Sequence, residues 1–412
     1  MGKVEYVTGL DIGTSKICAI VASGDDDGTI HAVGMGRSSS SEGLRRGVVA
    51  NLERTVESVR EAVDAAESSS GMRIDAAFVG IAGSHIQAIN SHGVVGVGRR
   101  DKEIALEDIE RVLDAARAVN IPMDRELLHV FPHGFVVDDQ RGIKDPVGIV
   151  GVRLEAQVLI VTGAVTATQN LMKSVNRAGC EVEDIVLEPF ASGEAVLTDD
   201  EKELGVALAD IGGGTTDIAV FVDGALRHGK VLAIGGQHVT RDIAIGLRTP
   251  INQAEQIKIR YGHAVEDMVG DDETVTVPGV GDREDRTVSR RELAAIIEPR
   301  MDELLFLVRG ELENSGFKHL IPTGVVLTGG ASLLEGTAEL SDSVFECPVR
   351  IGYPRMVIGD IEGLNDPAYA TAVGLVRYGL KYRAEGRHAR FGKGHRFVKT
   401  ARKMKEWIKE YF

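Results

Sequence analysis

The sequence predicts an α/β protein in which one unit of supersecondary structure occurs twice. Strand-like runs alternate with helical patterns along the chain, which is typical of α/β folds. A unit of strand, Asp-Ile-Gly turn and strand at residues 3–24 returns at residues 204–236, where a third strand follows. The 412 residues are enough for two to four packed units, and no apolar run approaches the roughly 20 residues of a membrane span.

The period of the apolar residues predicts the other helices and strands in order. Apolar residues that recur every three or four positions predict helices at 52–69, 105–120, 252–262, 289–316 and 368–383. Apolar runs of strand length predict strands at 76–83, 133–139 and 153–165. The segment 323–336 is predicted to be a strand, a double-glycine turn and a helix. An acidic, glycine-containing stretch lies between two of the helices, at 266–286.

The two Asp-Ile-Gly turns place a carboxylate and accessible backbone amides at the same point of each unit. Glycine lets a loop approach an anion closely, so that successive N–H groups can surround phosphate oxygens. Asp11 and Asp210, each at the end of a strand, are predicted to hold Mg²⁺, mostly through water. A third turn, from Thr328 to Ser332, is the predicted place for a base or ribose. Hydroxyl and ammonium donors for the phosphates are predicted at Thr14, Ser15, Lys16, Thr215 and Thr216.

The Asp-Ile-Gly turns have alternative interpretations besides a nucleotide site. A single Asp-Ile-Gly turn is equally consistent with an ordinary hairpin, and its repetition together with the third turn favours the nucleotide site. The chain has no G-x-x-x-x-G-K-[ST] motif and no G-x-G-x-x-G that opens a helix after the first strand, which argues against P-loop and dinucleotide enzymes. His129 and His133 are four residues apart, but Pro132 between them argues against a helical metal-binding pair.

Several segments resemble a known superfamily of ATPases. "LDIGTSKICAIV" and "ADIGGGTTDIAVF" resemble the two phosphate loops of the actin, sugar kinase and Hsp70 ATPase fold, and "VVLTGGASLLEG" resembles its adenosine loop. "LLHVFPHGFVVDD", "NQAEQIKIRYG" and "IIEPRMDELL" are similar to segments of the FtsA family, the actin-like division proteins of bacteria. The resemblance covers essentially the whole chain apart from residues 265–289. It implies a two-lobed actin-like α/β fold with ATP and Mg²⁺ in the cleft between the lobes.

The resemblance also implies roles for individual residues. Glu188, at the turn that links the lobes, would polarise the attacking water, and Asp210 would lie at the same catalytic centre. Glu255 and Lys258 would frame the nucleoside, although solvated positions on a helix remain the alternative for both. The residues implied to bind nucleotide are Asp11, Gly13, Thr14, Ser15, Lys16, Asp210, Gly212, Gly213, Gly214, Thr215, Thr216, Gly235, Gly236, Glu255, Lys258, Gly329, Gly330 and Ser332.

The same resemblance implies a division of the chain into lobes and subdomains. Residues 1–83 and 163–196 would form the core of the first lobe, and residues 84–162 a family-specific subdomain. The core of the second lobe would consist of 197–230 and 301–384, with its own subdomain at 231–300. A flexible linker at 385–396 would lead to a membrane-targeting amphipathic helix at 397–412.

The end of the chain is basic, although the formal net charge of the whole chain is −15. Residues 381–412 hold eleven Lys or Arg against three Glu, so the rest of the chain is strongly acidic. A helix over the last sixteen residues is only ~24 Å long and suits the membrane interface better than the bilayer core. The alternatives are docking on the protein's own core or in a partner groove, and the acidic remainder argues against nucleic acid. The predicted membrane-facing residues are Phe397, Ala401, Met404, Trp407, Ile408, Tyr411 and Phe412.

The sequence and the resemblance together predict an ATP-binding cell-division protein that polymerises and tethers the FtsZ ring to the cytoplasmic face of the cell membrane at the septum. ATP hydrolysis is expected to be slow at most. Expected partners are FtsZ, further copies of the chain, other division proteins and anionic lipids. Arg290, Arg291 and Arg300 are the predicted basic surface for an acidic FtsZ peptide. The alternative is a small-molecule kinase or phosphohydrolase of the same fold, but no glycine-rich loop with the Asp general base of such kinases is evident.

Overall fold

The computed structural model describes residues 5–40, 43–281 and 283–384. Over these ranges the chain is a mixed α/β structure, which confirms the predicted fold class. None of the helices in the described ranges is long and apolar enough to cross a membrane. The predicted linker at 385–396 and the predicted membrane helix at 397–412 lie outside the described residues.

Strands and helices alternate throughout the described ranges. The strands are β1 Val7–Ile12, β2 Lys16–Gly24, β3 Ile30–Ser39, β4 Leu44–Arg45, β5 Val48–Val49, β6 Ala76–Ile81, β7 Gln87–Gly96, β8 Arg125–Val137, β9 Gln140–Ile143, β10 Arg153–Ala164, β11 Glu181–Leu187, β12 Val206–Ile211, β13 Thr216–Val222, β14 Ala225–Leu232, β15 Thr274–Val277, β16 Arg286–Ser289, β17 Val325–Thr328, β18 Val349–Ile351 and β19 Val357–Ile358. The α-helices are α1 Leu52–Ser70, α2 Leu106–Arg117, α3 Val165–Arg177, α4 Glu188–Val196, α5 Asp199–Leu204, α6 Gly236–Gly246, α7 Ile251–Tyr261, α8 Arg290–Asn314, α9 Thr337–Phe345 and α10 Ala370–Ala384.

The first lobe is built on a six-stranded sheet with the strand order β11-β6-β1-β2-β3-β19. β1 and β2 form the predicted antiparallel hairpin, with Asp11 opposite Cys18 near its turn, and β1 runs parallel to β6. α1 packs on this sheet through an apolar stripe that includes Val59 and Ala62. The helix lies so close to β3 that a Cβ at Gly36 would be 1.9 Å from the carbonyl oxygen of Ala62, so only glycine fits there.

A four-stranded antiparallel sheet is inserted between β6 and α3 of the first lobe, with the order β7-β10-β8-β9. We call residues 84–162 the inserted subdomain. α2 covers one face of this sheet and buries Val112 and Leu113. β8 begins at Arg125, well before the strand predicted at 133–139. It continues through Pro132 because its register with β10 shifts at that point, which lets the strand accommodate a residue without an N–H.

The second lobe repeats the plan of the first on a five-stranded sheet with the order β14-β13-β12-β17-β18. β12 and β13 are an antiparallel hairpin, with Asp210 opposite Asp217, and β12 runs parallel to β17. Both lobes therefore contain a hairpin whose first strand also pairs with a parallel neighbour. This arrangement confirms the internal repeat predicted from the sequence.

Four helices, α6 to α9, and a small hairpin share one apolar core with the second sheet. α8 begins after Ser289, whose hydroxyl accepts the N–H of Glu292 at 3.0 Å, and it continues through Pro299 for 25 residues. The acidic stretch at 266–286 is not irregular throughout, because it contains β15 and leads into β16, its antiparallel partner. The sequence did not predict this hairpin.

α4 and α10 pack closely against each other within the largest apolar core, which draws on both lobes. Every residue of α4 except Glu188 is buried. A Cβ at Gly374 of α10 would lie 1.8 Å from the carbonyl oxygen of Ala191, so glycine permits this close approach. Glu194 is buried on α4 and forms ion pairs with Lys202 and Lys381. These contacts join the two lobes through a rigid helix pair.

Candidate functional site

The two Asp-Ile-Gly turns have the same backbone geometry. In the β1–β2 turn the N–H of Gly13 donates to the carbonyl oxygen of Lys16 at 3.0 Å. In the β12–β13 turn the N–H of Gly212 donates to the carbonyl oxygen of Thr215 at 2.9 Å. The repeated sequence motif therefore folds into a repeated loop, one in each lobe.

The two turns face each other at close range. A Cβ at Gly213 would lie 1.9 Å from the Oγ of Ser15, and a Cβ at Gly214 would lie 2.8 Å from the side chain of Thr14. The side-chain amide of Gln237 donates to the Oγ of Ser15 at 3.1 Å and so also bridges the lobes. Glycine is needed in the second loop because the first loop occupies the space of its side chains.

A cleft of about 280 Å³ opens between these turns. It has the size expected of a small-molecule site and lies where the two lobes meet. The structure brings sixteen of the predicted site residues to its wall: Asp11, Gly13, Thr14, Ser15, Lys16, Glu188, Asp210, Gly212, Gly213, Gly214, Thr215, Gly236, Glu255, Lys258, Gly329 and Gly330.

Three predicted contact residues lie behind the wall instead. The hydroxyl of Thr216 is buried and donates to the carbonyl oxygen of Ile234 at 2.9 Å, because alternate side chains of β13 point to opposite faces. The hydroxyl of Ser332 donates to the carbonyl oxygen of Gly329 at 2.7 Å. A Cβ at Gly235 would lie 2.5 Å from the backbone of the second turn. These three residues support the loops from behind and do not line the cleft, and their contact with a ligand stays a prediction.

Five carboxylates line the cleft, and four of them, Asp11, Glu188, Asp210 and Asp217, have raised pKa values. Burial raises the pKa of Asp11 to about 7, against the opposing effect of Lys16 and with a further contribution from Asp210. Burial raises the pKa values of the other three as well, and the carboxylates around Glu188 and Asp217 add to the rise at both. A cluster of this kind attracts a cation, because a positive charge would restore the ionised form of each group.

Asp217 is the carboxylate that the sequence interpretation missed. Its Oδ2 accepts the hydroxyl of Thr215 at 3.3 Å, whereas its Oδ1 is buried without a hydrogen-bond partner among the described residues. A buried polar atom of this kind is rare and suggests a ligand or water in the functional state. The hairpin register could have revealed it, because residue 217 stands directly opposite Asp210.

The donor set fits a hydrated magnesium ion. Within the described residues, no group of three or more His, Cys, Asp or Glu side chains is close enough to hold a metal ion directly. Mg²⁺ commonly keeps several water molecules and contacts only one or two carboxylates. The carboxylates of the cleft therefore suit a magnesium ion that is bound mostly through water.

Asp210 is fixed by two helices at once. The hydroxyl of Ser192, on α4, donates to its Oδ2 at 2.6 Å, and the hydroxyl of Thr371, on α10, donates to the same oxygen at 3.1 Å. These hydrogen bonds favour the ionised carboxylate and so oppose the rise of its pKa that burial causes. Neither hydroxyl was predicted from the sequence, because each belongs to a distant segment.

Lys16 has partners of its own in this structure. Its Nζ donates to the carbonyl oxygen of Ala368 and lies 3.6 Å from the centre of the Tyr369 ring. Burial lowers its pKa, and the charge of Asp11 opposes that effect. A phosphate group would therefore compete with a carbonyl oxygen and an aromatic ring for this ammonium.

Glu255 and Lys258 are part of the cleft wall and not freely solvated positions of a helix. The Nζ of Lys258 lies 2.8 Å from the Oε2 of Glu255 and 2.9 Å from the Oγ1 of Thr240. It also donates to the carbonyl oxygen of Gly236 at 3.2 Å. This network ties α7 to the start of α6 at the rim of the cleft.

The three arginines predicted as a basic surface are already paired with carboxylates. Arg291, for example, contacts three acidic side chains at 2.8 to 3.1 Å. Acidic residues, most of them distant in sequence, fold against these arginines and offset much of their charge, and their role as the surface for an acidic FtsZ peptide stays a prediction. The partners are Glu273 and Glu335 for Arg290, Glu266, Asp267 and Asp271 for Arg291, and Asp242 and Glu303 for Arg300.

Solved structures with the same architecture cover nearly the whole chain. The PilM-PilN type IV pilus biogenesis complex aligns with a TM-score of 0.67 at 19% identity, over 91% of this chain and 98% of that chain. MreB 5 of Spiroplasma citri bound to AMPPNP aligns with a TM-score of 0.57 at 16% identity, over 93% of this chain and 99% of that chain. The MamK double helical filament aligns with a TM-score of 0.50 at 13% identity, over 91% of this chain and 98% of that chain. At these identities the likeness shows the actin-like fold.

Sequence comparisons are more specific. A family model described as cell division protein FtsA matches residues 207–374, and one described as the SHS2 domain inserted in FtsA matches residues 83–162. The cell division protein FtsA of Pseudomonas aeruginosa is 53% identical over 382 residues, which are 93% of this chain and 91% of that protein. FtsA of Escherichia coli K12 is 42% identical over 389 residues, with 93% and 92% coverage. The chain therefore belongs to the FtsA family of cell division proteins.

Proposed function

We propose that this protein binds ATP with Mg²⁺ in the cleft, polymerises, and tethers FtsZ to the cytoplasmic face of the cell membrane at the division septum. The observation that carries the nucleotide part is the convergence of the two glycine-rich turns and five carboxylates on one cleft. Membership of the FtsA family supports the division role. The nucleotide analogue named with the related MreB structure gives further support.

The cleft offers a place for each part of the nucleotide. The N–H groups and hydroxyls of residues 13–16 and 212–215 would bind the phosphates from opposite sides. Asp11 and Asp210 would hold Mg²⁺ largely through water, and the cation would supply charge neutralisation for the phosphates. Gly236, Glu255, Lys258, Gly329 and Gly330 would frame the ribose and base.

Glu188 is the candidate for polarising an attacking water. It is the first residue of α4, lines the cleft, and has a pKa that burial raises well above the ordinary value of 4.5. A carboxylate with a raised pKa accepts a proton more readily than an ordinary one. We expect turnover to be slow at most, so that the nucleotide serves mainly as a ligand that stabilises the polymer.

Membrane attachment is assigned to residues 397–412 on their sequence. Apolar residues on one side and lysines and arginines on the other suit a helix that lies in the interface of an anionic membrane. The last described helix is α10, Ala370–Ala384, and residues 385–396 are the proposed linker to this segment. The attachment is therefore expected to be peripheral.

Self-association and FtsZ binding complete the proposal. The filament named for the related MamK structure supports polymerisation. For FtsZ, the face around Arg291 remains the proposed contact, with the condition that an acidic peptide must exchange with the carboxylates that already bind the arginines. Charge reversal of Arg291 tests this contact, and charge reversal of Arg309, which is ion-paired on the same helix, is the matched control. Equal FtsZ binding by both variants and the wild type would contradict it.

Co-sedimentation with anionic liposomes tests the tethering function. Full-length protein and protein cut after Gly394 are each sedimented with and without Mg-ATP. We expect only the full-length chain to pellet, and Mg-ATP to increase the pelleted fraction because a polymer binds through many tails. If both forms stay in solution, the tail has another role, and a screen for phosphate transfer to small molecules would test the kinase alternative.

A further inference from the structure

The inserted subdomain contacts the chain directly before Glu188. The N–H of Leu187 donates to the Nε2 of His129 on β8 at 3.2 Å. Leu187 is buried and is the last residue of β11, which is an edge strand of the six-stranded sheet. An outward N–H on a buried edge strand needs a partner, and the histidine of the inserted subdomain supplies it. His129 thereby holds the backbone from which Glu188 extends.

Aromatic rings extend this contact onto the first turn of α4. Phe131 lies on the same face of β8 as His129, and the centres of their rings are 5.3 Å apart. Phe131 also packs against Phe190, with ring centres 4.9 Å apart. The first turn of α4 is therefore held by a hydrogen bond before Glu188 and by an aromatic contact after it.

The inserted subdomain and Glu188 also line a common cavity. A second, small cavity of about 10 Å³ is lined by Glu188 and His85, among other residues. Neither ring nitrogen of His85 has a hydrogen-bond partner among the described residues, and both are buried. The cavity has about the room of one water molecule, and the buried ring nitrogens of His85 are polar groups that need such a partner. The backbone of His85 is fixed in turn, because its carbonyl oxygen accepts the guanidinium of Arg125 at 2.8 Å.

We propose that the inserted subdomain is a positioning element for Glu188, with His129 as the positioning residue that fixes the start of α4 and hence the direction of the carboxylate. This inference rests on the proposed function, in which Glu188 accepts a proton from the attacking water. In that step the water oxygen bonds to the γ-phosphorus of ATP, ADP leaves with the electron pair of the broken bond, and the proton later passes to solvent. Displacement of the inserted subdomain changes the rate of this step.

Nucleotide affinity is governed by other elements. The phosphate-facing turns belong to the β1–β2 and β12–β13 hairpins, which are held by their own sheets. The contact of His129 is with the backbone of Leu187 and not with either turn. Loss of this contact is therefore expected to slow hydrolysis and leave the affinity for Mg-ATP unchanged. A general weakening of the fold would reduce both.

Substitutions of His129 in the full-length protein test the inference. His129→Leu removes the acceptor, whereas His129→Gln can place an amide oxygen near the position of Nε2. The matched control is His92→Leu, which changes an exposed histidine of the same subdomain. Three quantities are measured: the Kd for Mg-ATP, phosphate release in a single turnover, and hydrogen exchange at the amide of Leu187.

For His129→Leu we expect phosphate release at least fivefold slower, exchange at Leu187 at least tenfold faster, and a Kd within twofold of the wild type. His129→Gln and the control should stay within twofold of the wild type in all three measurements. The inference would be overturned if His129→Leu released phosphate at the wild-type rate, or if its Kd for Mg-ATP changed by as large a factor as the rate. If His129→Leu does not fold, Phe131→Leu replaces it, with slower release expected and the Leu187 hydrogen bond retained; unchanged release in that variant would equally overturn it.

Further outcomes distinguish a failure of the proposed function from a failure of this inference. Wild-type protein that does not bind Mg-ATP would refute the nucleotide site itself. If Glu188→Gln binds Mg-ATP and releases phosphate as fast as the wild type, Glu188 has no role in hydrolysis, and this inference is overturned with that role. Binding with a loss of turnover in Glu188→Gln, but none in His129→Leu, would refute the positioning role alone.

Discussion

Replacing Asp11 by Asn is expected to stabilise the folded protein at neutral pH when magnesium and nucleotide are absent. Burial raises the pKa of this carboxyl from 3.8 to about 7, with Lys16 opposing the rise and Asp210 adding to it. The folded state therefore binds a proton at Asp11 more tightly than the unfolded state does. The resulting stabilisation is complete below pH 3.8 and is lost as the pH rises through about 7. Asparagine does not ionise, so the variant loses no stability from this position over the same pH range.

The size of the effect follows from the shift. One pKa unit corresponds to about 1.4 kcal/mol, so a shift from 3.8 to about 7 is worth on the order of 4 kcal/mol. Burial also raises the pKa values of Glu188 and Asp217, so these two groups also reduce the stability as the pH rises. They do so in the wild type and in the variant alike. The free energy of unfolding of the wild type should therefore fall more steeply with pH than that of Asp11→Asn, and Mg-ATP should flatten the wild-type curve because the cation favours the ionised groups.

Urea unfolding measures this directly. The free energy of unfolding is determined by circular dichroism from about pH 5 to about pH 8, with a chelator present, for the wild type and for Asp11→Asn. The control is Asp27→Asn in the exposed β2–β3 turn, where the N–H of Thr29 lowers the pKa of Asp27. Asp27 is ionised throughout this range, so its removal should leave the slope unchanged. An Asp11→Asn slope equal to that of the wild type would refute the claim that Asp11 holds a proton in the folded protein.

Three further predictions follow from single contacts. Gly329→Ala should weaken Mg-ATP binding at least tenfold in a calorimetric titration, because the position has φ +84° and a Cβ there would lie 2.3 Å from Asp210. Thr371→Val should weaken binding of Mg²⁺ at neutral pH several-fold, because loss of the hydrogen bond to Asp210 raises the pKa of that carboxylate further. Glu194→Gln should lower the free energy of unfolding by about 3–5 kcal/mol, since it removes the carboxylate that pairs with the buried Lys202 and also contacts the partly exposed Lys381.

Each of these variants has a matched control. Gly316→Ala places a side chain at φ +77° with nothing within 4 Å, so it carries the backbone strain of Gly329→Ala without the clash and should keep Mg-ATP affinity. Thr274→Val removes an exposed hydroxyl from a residue that does not line the cleft, and it should not alter Mg²⁺ binding. Glu203→Gln removes an exposed partner of Lys144 and should cost less than about 1 kcal/mol. A variant indistinguishable from its own control would contradict the contact on which that prediction depends.

Local patterns were enough to predict about half of the helices and strands, together with the two turns, whereas α3 to α6 and the strands β3, β7 and β11 were not predicted. Hairpins, amphipathic helices and Asp-Ile-Gly loops depend on residues close together in sequence, and the structure has them where the periods indicated. The hairpin of β15 and β16 was missed because acidic and glycine residues around it hide its short alternating pattern. The extension of β8 through Pro132 depends on a register shift that only its partner strand determines.

The parts of the site that the sequence did not predict depend on distant segments. Ser192 and Thr371 reach Asp210 from 18 and 161 residues away, so no local pattern marks them. The same limit hides the ion pair of Arg300 with Asp242, which is 58 residues distant. A cluster of arginines appears as a basic surface in sequence, whereas folding brings carboxylates to it. Charge counted along a chain is therefore a poor guide to charge on a surface.

The carboxylates of the cleft come from both lobes, so a cation bound there would stabilise the fold as well as bind the nucleotide. Asp11 belongs to the first lobe and Asp210 to the second, and each raises the pKa of Glu188 on the helix that joins them. Without a cation, like charges across the cleft repel. With Mg²⁺ and phosphates in place, we expect the same groups to draw the lobes together, so that binding free energy stabilises the closed cleft. Such a site suits a nucleotide that is kept as a structural ligand, and the contact between His129 and Leu187 would then govern how long it is kept.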